Sequence, residues 1–127
     1  MNKSQYLNLV DETLETVRTV IHQKNNDYTA GTDDPFSNFR LATLEGVDPE
    51  VGLMIRTQDK MQRIRTFLHS GSLMVEGESY EDAIHDIIGY MLILKGLLTE
   101  QADRVNYLKD TLASIEGKLD SVGRENE

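Results

Sequence analysis

Cysteine and tryptophan are absent from this chain, and proline occurs only twice in its 127 residues. Without cysteine there is no disulfide and no thiolate metal site, a composition suited to a reducing compartment. The two prolines leave long stretches free to stay helical. Each follows an aspartate, in Asp34-Pro35 and Asp48-Pro49, the order of an N-cap and its N1 residue. Basic residues are also scarce: 13 Lys and Arg against 22 Asp and Glu give a formal net charge of -9. That balance argues against a duplex nucleic acid and against an anionic membrane surface. It suits divalent cations, and it leaves room for one nucleotide held by a metal and a few basic side chains. Long apolar runs are missing too. The longest, Ile87 to Leu98, is interrupted by Lys95 and two glycines and falls short of the roughly 20 residues that span a bilayer. The amino terminus has no apolar signal core. The expectation is a soluble cytoplasmic protein.

What is present is helical periodicity. Leu7, Val10, Leu14, Val17 and Ile21 step by threes and fours, which predicts a helix from a Ser4 cap to about Lys24. Asn25 to Asp33 reads as a loop. A short helix from Pro35 to about Leu44 follows. A longer one opens at Pro49 and ends near Gly71, with Val51, Met54, Ile55, Met61, Ile64 and Leu68 as core candidates. Leu73, Met74 and Val75 lie in a second loop and are expected to tuck against the body. Ser79 caps the next helix with Asp82 at N3, a capping box with Asp in place of Glu. Beyond Leu98 the pattern narrows to heptads. Leu98, Val105, Leu112 and Leu119 form the a series, and Gln101, Leu108, Ile115 and Val122 the d series. No strand pattern emerges. The chain reads as all-α, a helical bundle of about four to five helices with a C-terminal heptad helix. Residues 1–97 form the main domain, 98–122 the heptad helix for oligomerisation, and 123–127 a frayed end. A narrow stripe is marginal as a lone helix, so a homo-oligomer, a dimer or higher, is expected through this helix and the helical core.

Asp82 and Asp86 carry the strongest functional signal. They stand four residues apart in the most apolar stretch of the sequence, so they lie on one helix face among Ile84, Ile87 and Ile88. A buried carboxylate needs an Arg, a Lys or a divalent cation to offset its desolvation. With Glu78 one turn earlier, three acids line one helical edge and suit Mg²⁺. The plainer alternative is a cap at Asp82, where the helix dipole favours an acid, and a structural salt bridge at Asp86.

Two more constellations stand beside this one. Arg56, Asp59, Lys60 and Arg63 read either as a solvated face with an Asp-Arg pair or as a fourth carboxylate with phosphate-holding cations. Lys24, Asp27 and Tyr28, followed by Phe36, Asn38 and Phe39, read either as a polar loop pinned by its aromatics or as a cradle for a base and its phosphate. His22, His69 and His85 have no metal-ligand spacing, and there is no Gly-rich phosphate loop.

In order, Lys24-Asn25-x-Asp27-Tyr28, Phe36-Ser37-Asn38-Phe39, Arg56-x-x-Asp59-Lys60-x-x-Arg63 and Glu78-Ser79-x-x-Asp82-x-x-x-Asp86-x-x-Gly89-Tyr90 resemble the nucleotide-modification-associated domain found mainly in bacteriophages. That domain is similar to the all-α NTP pyrophosphatase group, which includes MazG-like proteins and dimeric dUTPases. The resemblance covers about residues 20 to 95. It implies a helical, oligomeric protein in the host cytoplasm, holding a Mg²⁺-bound (possible substitute Mn²⁺) nucleoside triphosphate between helices. Asp86, Asp82 and Asp59 would be the catalytic carboxylates, and with Glu78 the metal ligands. Lys24, Arg56, Lys60 and Arg63 would neutralise the phosphates. Asp27, Tyr28, Phe36, Asn38, Phe39 and Tyr90 would complete the substrate site. The chain departs from the wider group's Glu-x-x-Glu and Glu-x-x-Asp pairs: Arg56 replaces one acid, and Ala83 stands where the second pair has Glu. The implied activity is pyrophosphohydrolysis, and the departures leave open a nucleotide-binding or sequestering oligomer without turnover, or a purely structural helical oligomer.

Overall fold

The computed structural model describes residues 1–29, 32–71 and 79–125, with the side chains of Tyr28 and Glu125 outside that description. Leu73, Met74, Val75 and Glu78 lie outside the described residues. Among those described, every regular element is helical: α1 (Lys3–Thr29), α2 (Ser37–Arg40), the 3₁₀ turn η1 (Leu41–Glu45), α3 (Pro49–Ser70) and α4 (Tyr80–Glu125). The fold is all-α. None of the described helices is long and apolar enough to cross a membrane. The chain divides into two compact units, Met1–Leu94 and Lys95–Glu127.

Local chemistry explains most element ends. α3 starts with Asp48 in extended backbone and Pro49 at N1, and it stops at Gly71, whose φ of 75° a side chain would strain. α4 opens with the expected reciprocal box. Ser79 N–H donates to Asp82 Oδ2 (3.3 Å), and Asp82 N–H donates to Ser79 Oγ (3.1 Å). α1 differs from expectation at both ends. Its cap is Asn2 rather than Ser4: Gln5 N–H donates to Asn2 Oδ1 and Asn2 N–H to Gln5 Oε1, both at 2.8 Å. Its far end runs through Asn25 to Thr29, where a loop was expected. Polar Asn and Asp are weak helix formers, not breakers, and no Gly or Pro interrupts that stretch before Gly31. The short helix expected from Pro35 starts at Ser37. Asp34 instead accepts the Phe36 N–H (3.0 Å) in a local turn. At the other end of the chain, α4 stays helical through Glu125, past the fraying expected from Gly123.

The Met1–Leu94 unit is held by a small core. Val17, Phe39, Leu53 and Ala83 are its buried hydrophobic residues, and Thr57 its buried polar one, donating to the Leu53 carbonyl at 2.9 Å. α1 packs on α2, and α3 packs on both α2 and η1. Phe67 and Tyr80 stack at 4.5 Å between centroids and join α3 to the start of α4.

The α3 core face was misplaced by periodicity alone. Val51, Met54, Ile55 and Leu68 are exposed, while Leu53 and Thr57 are buried, and Met61 and Ile64 are half-buried. α3 carries apolar residues on more than one side. Its inner face is the one bearing Gly52. A methyl group added there would sit 3.1 Å from Ala42 Cβ, so η1 approaches α3 closely at this point.

Candidate functional site

Asp86 is the point where the three long helices of the Met1–Leu94 unit meet. Its Oδ2 takes Lys60 Nζ from α3 at 2.8 Å, and its Oδ1 faces Lys24 Nζ from α1 at 3.9 Å. The carboxylate is only a quarter exposed and Lys60 a fifth, whereas Lys24 is half exposed. This partly buried acid thus has its counter-charge in two ammonium groups. The short contact to Lys60 is the stronger, since Coulomb energy rises as distance and solvent access fall. Asp82, one turn away, is exposed and spends its carboxylate on the helix cap.

A second feature lies one turn back along α3. Asn38, Phe39, Ala42, Gly52, Leu53 and Arg56 line a cavity of about 260 Å³. Phe39 is buried, and the Arg56 guanidinium lies 5.2 Å from its ring centroid, a cation–π distance. Arg56 and Lys60 are four residues apart on α3, so they share a face and are separated by about 6 Å of helix rise. The cavity and the Asp86 cluster are therefore neighbours along one helix side. The cavity sits just below the roughly 300–1,000 Å³ typical of small-molecule sites. It has room for a ring, not for a nucleoside triphosphate, so phosphates would have to extend along the cationic side of α3.

A third cluster flanks α2. Asp34 takes Arg40 in a two-point ion pair, Nε to Oδ2 at 2.7 Å and Nη2 to Oδ1 at 3.2 Å. That guanidinium, and then the Phe36 N–H, hold the Asp34 carboxyl below its ordinary pKa. Arg40 also lies over the Phe36 ring at 5.7 Å, so Phe36 packs beneath a side chain outside the cavity lining.

The structure thus separates the sequence-based site into parts. Lys24, Lys60 and Asp86 come together, and Asn38, Phe39 and Arg56 come together. Phe36 sits with Arg40, and Asp82 with Ser79. Asp27 and Asp59 are exposed, and Arg63 and Tyr90 are half-buried. Glu78 and the Tyr28 side chain lie outside the described residues. Among the described residues no three acidic or histidine side chains gather closely enough to hold a metal ion. Of the expected Mg²⁺ ligands, Asp86 pairs with two lysines, Asp82 caps α4 and Asp59 is exposed, while Glu78 lies outside the described residues. Sequence reading missed Ala42, Gly52 and Leu53. Gly52 carried a usable signal, because glycine inside a helix costs about 1 kcal/mol relative to alanine and usually marks a close approach.

Comparison with known proteins returns no matching family model, curated protein or solved structure.

Proposed function

We propose that the chain binds a nucleotide without the metal-centred chemistry its sequence resemblance implies. The carrying observation is the alignment on α3 of Arg56, over Phe39 in the cavity wall, with Lys60, which shares Asp86 with Lys24. On this reading Asn38 and Phe39 supply polar and apolar contacts to the base. Arg56, Lys60, Lys24 and Arg63 carry the phosphates, and two lysines on one carboxylate leave a net positive charge for an anion. The small core and many uncovered apolar side chains favour an oligomer, and nucleotides place such a protein in a cytoplasm, the host's if a phage encodes it.

The pyrophosphohydrolase reading rests on the family resemblance. It needs Asp86 to exchange its lysines for Mg²⁺ or Mn²⁺ and to recruit Glu78, Asp82 or Asp59. The test is to titrate the full chain with canonical and modified nucleoside triphosphates by calorimetry, with and without Mg²⁺ or Mn²⁺, and to assay pyrophosphate in the same samples. Binding that is lost in Lys60→Ala and Arg56→Ala, without pyrophosphate release, is the expected result. Release abolished by Asp86→Ala would return the protein to the hydrolases. Absence of binding to every nucleotide would leave a structural oligomer and overturn the proposal.

A further inference from the structure

α4 leaves an apolar seam uncovered over its last heptads. Every described side chain from Gln101 to Arg124 is exposed, including Val105 (45%), Leu108 (54%), Leu112 (58%), Ile115 (48%), Leu119 (64%) and Val122 (54%). Six apolar residues at strict a and d spacing form the seam of a two-stranded coiled coil. What selects the occupant is the charge pattern beside the seam. The e positions are Ala102, Lys109, Glu116 and Gly123, and the described g positions include Arg104, Thr111 and Lys118.

We infer that this segment pairs with the same segment of a second copy, antiparallel, with Leu112 of each helix opposite Ile115 of the other. In a parallel pair, the g residue of one helix meets the e residue of the next heptad of its mate. Arg104 then faces Lys109, twice per dimer, and Gln101 enters the seam against Gln101. An antiparallel pair matches a to d, e to e and g to g. In the assigned register, Val105 meets Val122, Leu108 meets Leu119 and Leu112 meets Ile115, and each layer occurs twice. Lys109 faces Glu116 of the second copy twice, Thr111 faces Lys118, and Gln101 falls outside the paired layers. Sliding one heptad in one direction sets Lys109 against Lys109 and Arg104 against Lys118. Sliding in the other sets Glu116 against Glu116 and Lys118 against Lys118. One register of this series thus joins all six apolar residues without opposing like charges. The inference is independent of the nucleotide reading, because no residue is shared.

The absence of native cysteine gives a clean test on the full chain. Leu112→Cys and Ile115→Cys chains are prepared separately, mixed under reducing conditions and then oxidised mildly, with circular dichroism confirming that helix content is kept. The expected product is the mixed dimer joined between positions 112 and 115. A homodimer of Leu112→Cys alone would show parallel pairing and overturn the proposal, and so would the absence of any cross-link. Sedimentation supplies a second readout. Lys109→Glu should weaken dimerisation about tenfold by facing Glu116, and adding Glu116→Lys should restore it. A parallel pair predicts the opposite, since Lys109→Glu would relieve the clash with Arg104 and tighten the dimer.

Discussion

The region around Asp86 and the heptad region of α4 treat the same problem in opposite ways. Around Asp86, a partly buried charged group is answered within the chain, by Lys60 at 2.8 Å and Lys24 at 3.9 Å. Along Val105 to Val122, apolar groups are exposed, and none of them is covered by the described residues. A carboxylate cannot be left unpaired once desolvated, because the penalty amounts to several kcal/mol on a single group. Apolar exposure is spread over many side chains at about 25 cal/mol per Å² and can wait for a partner. The first region therefore reports how the unit folds, and the second reports what it meets.

Variants can break that contrast, and the largest effect belongs to the heptad seam. Leu112→Asp places a charge at the centre of the six-residue seam, and sedimentation should show dimer affinity falling on the order of 100-fold or more. Unfolding of the Met1–Leu94 unit should keep its midpoint in the same variant when dissociated wild type is the reference. Leu53→Ala should do the reverse. Leu53 is 1% exposed in the core, so its truncation should cost about 3 kcal/mol at every protein concentration, measured by urea denaturation.

Intermediate effects centre on the lysine pair. Asp86→Asn leaves Lys60 and Lys24 without their counter-charge, and should destabilise by about 1–3 kcal/mol, less at high salt. The same change should leave triphosphate affinity intact or raise it if the lysines bind phosphate, whereas a metal site would lose all Mg²⁺ dependence. Asp82→Ala should cost only about 1 kcal/mol by removing the capping box, with nucleotide affinity unchanged. The smallest effect is the pH response of Asp34. Its folded-state pKa is lowered by Arg40, so its contribution is present above the ordinary carboxylate value of about 3.9 and is lost as pH falls through the depressed value. The stability difference between wild type and Asp34→Asn should stay constant from pH 7 to about pH 5 and fade below about pH 4.

Much of the fold was legible because its signals are local. Asp48-Pro49, Gly71 and the Ser79/Asp82 box mark helix ends by hydrogen-bonding and backbone rules that act over four residues. The heptads were legible for the same reason, being a period rather than a contact. The α3 core was not. Val51, Met54 and Ile55 compete with Leu53 and Thr57 for the inside, and a period cannot rank faces when apolar residues occur on several. Asn25 to Thr29 misled because polar composition suggests a loop, yet helix can extend through it when nothing forces a stop.

The candidate site divides along the same line. Sequence spacing placed Asp82 and Asp86 on one helix side, and it named the Lys24, Arg56 and Lys60 cations. It left open whether a metal or a lysine would answer Asp86, since either satisfies the electrostatics. By itself, then, the sequence determined an all-helical chain, both ends of α3, the start of α4, and a segment with a heptad seam, because these follow from near-neighbour sterics and periodicity. The tertiary structure alone decided that Asp86 holds lysines from two other helices and that Gly52 admits Ala42 beside a cavity. Those outcomes depend on distances between residues remote in the chain, which packing sets and no local rule encodes.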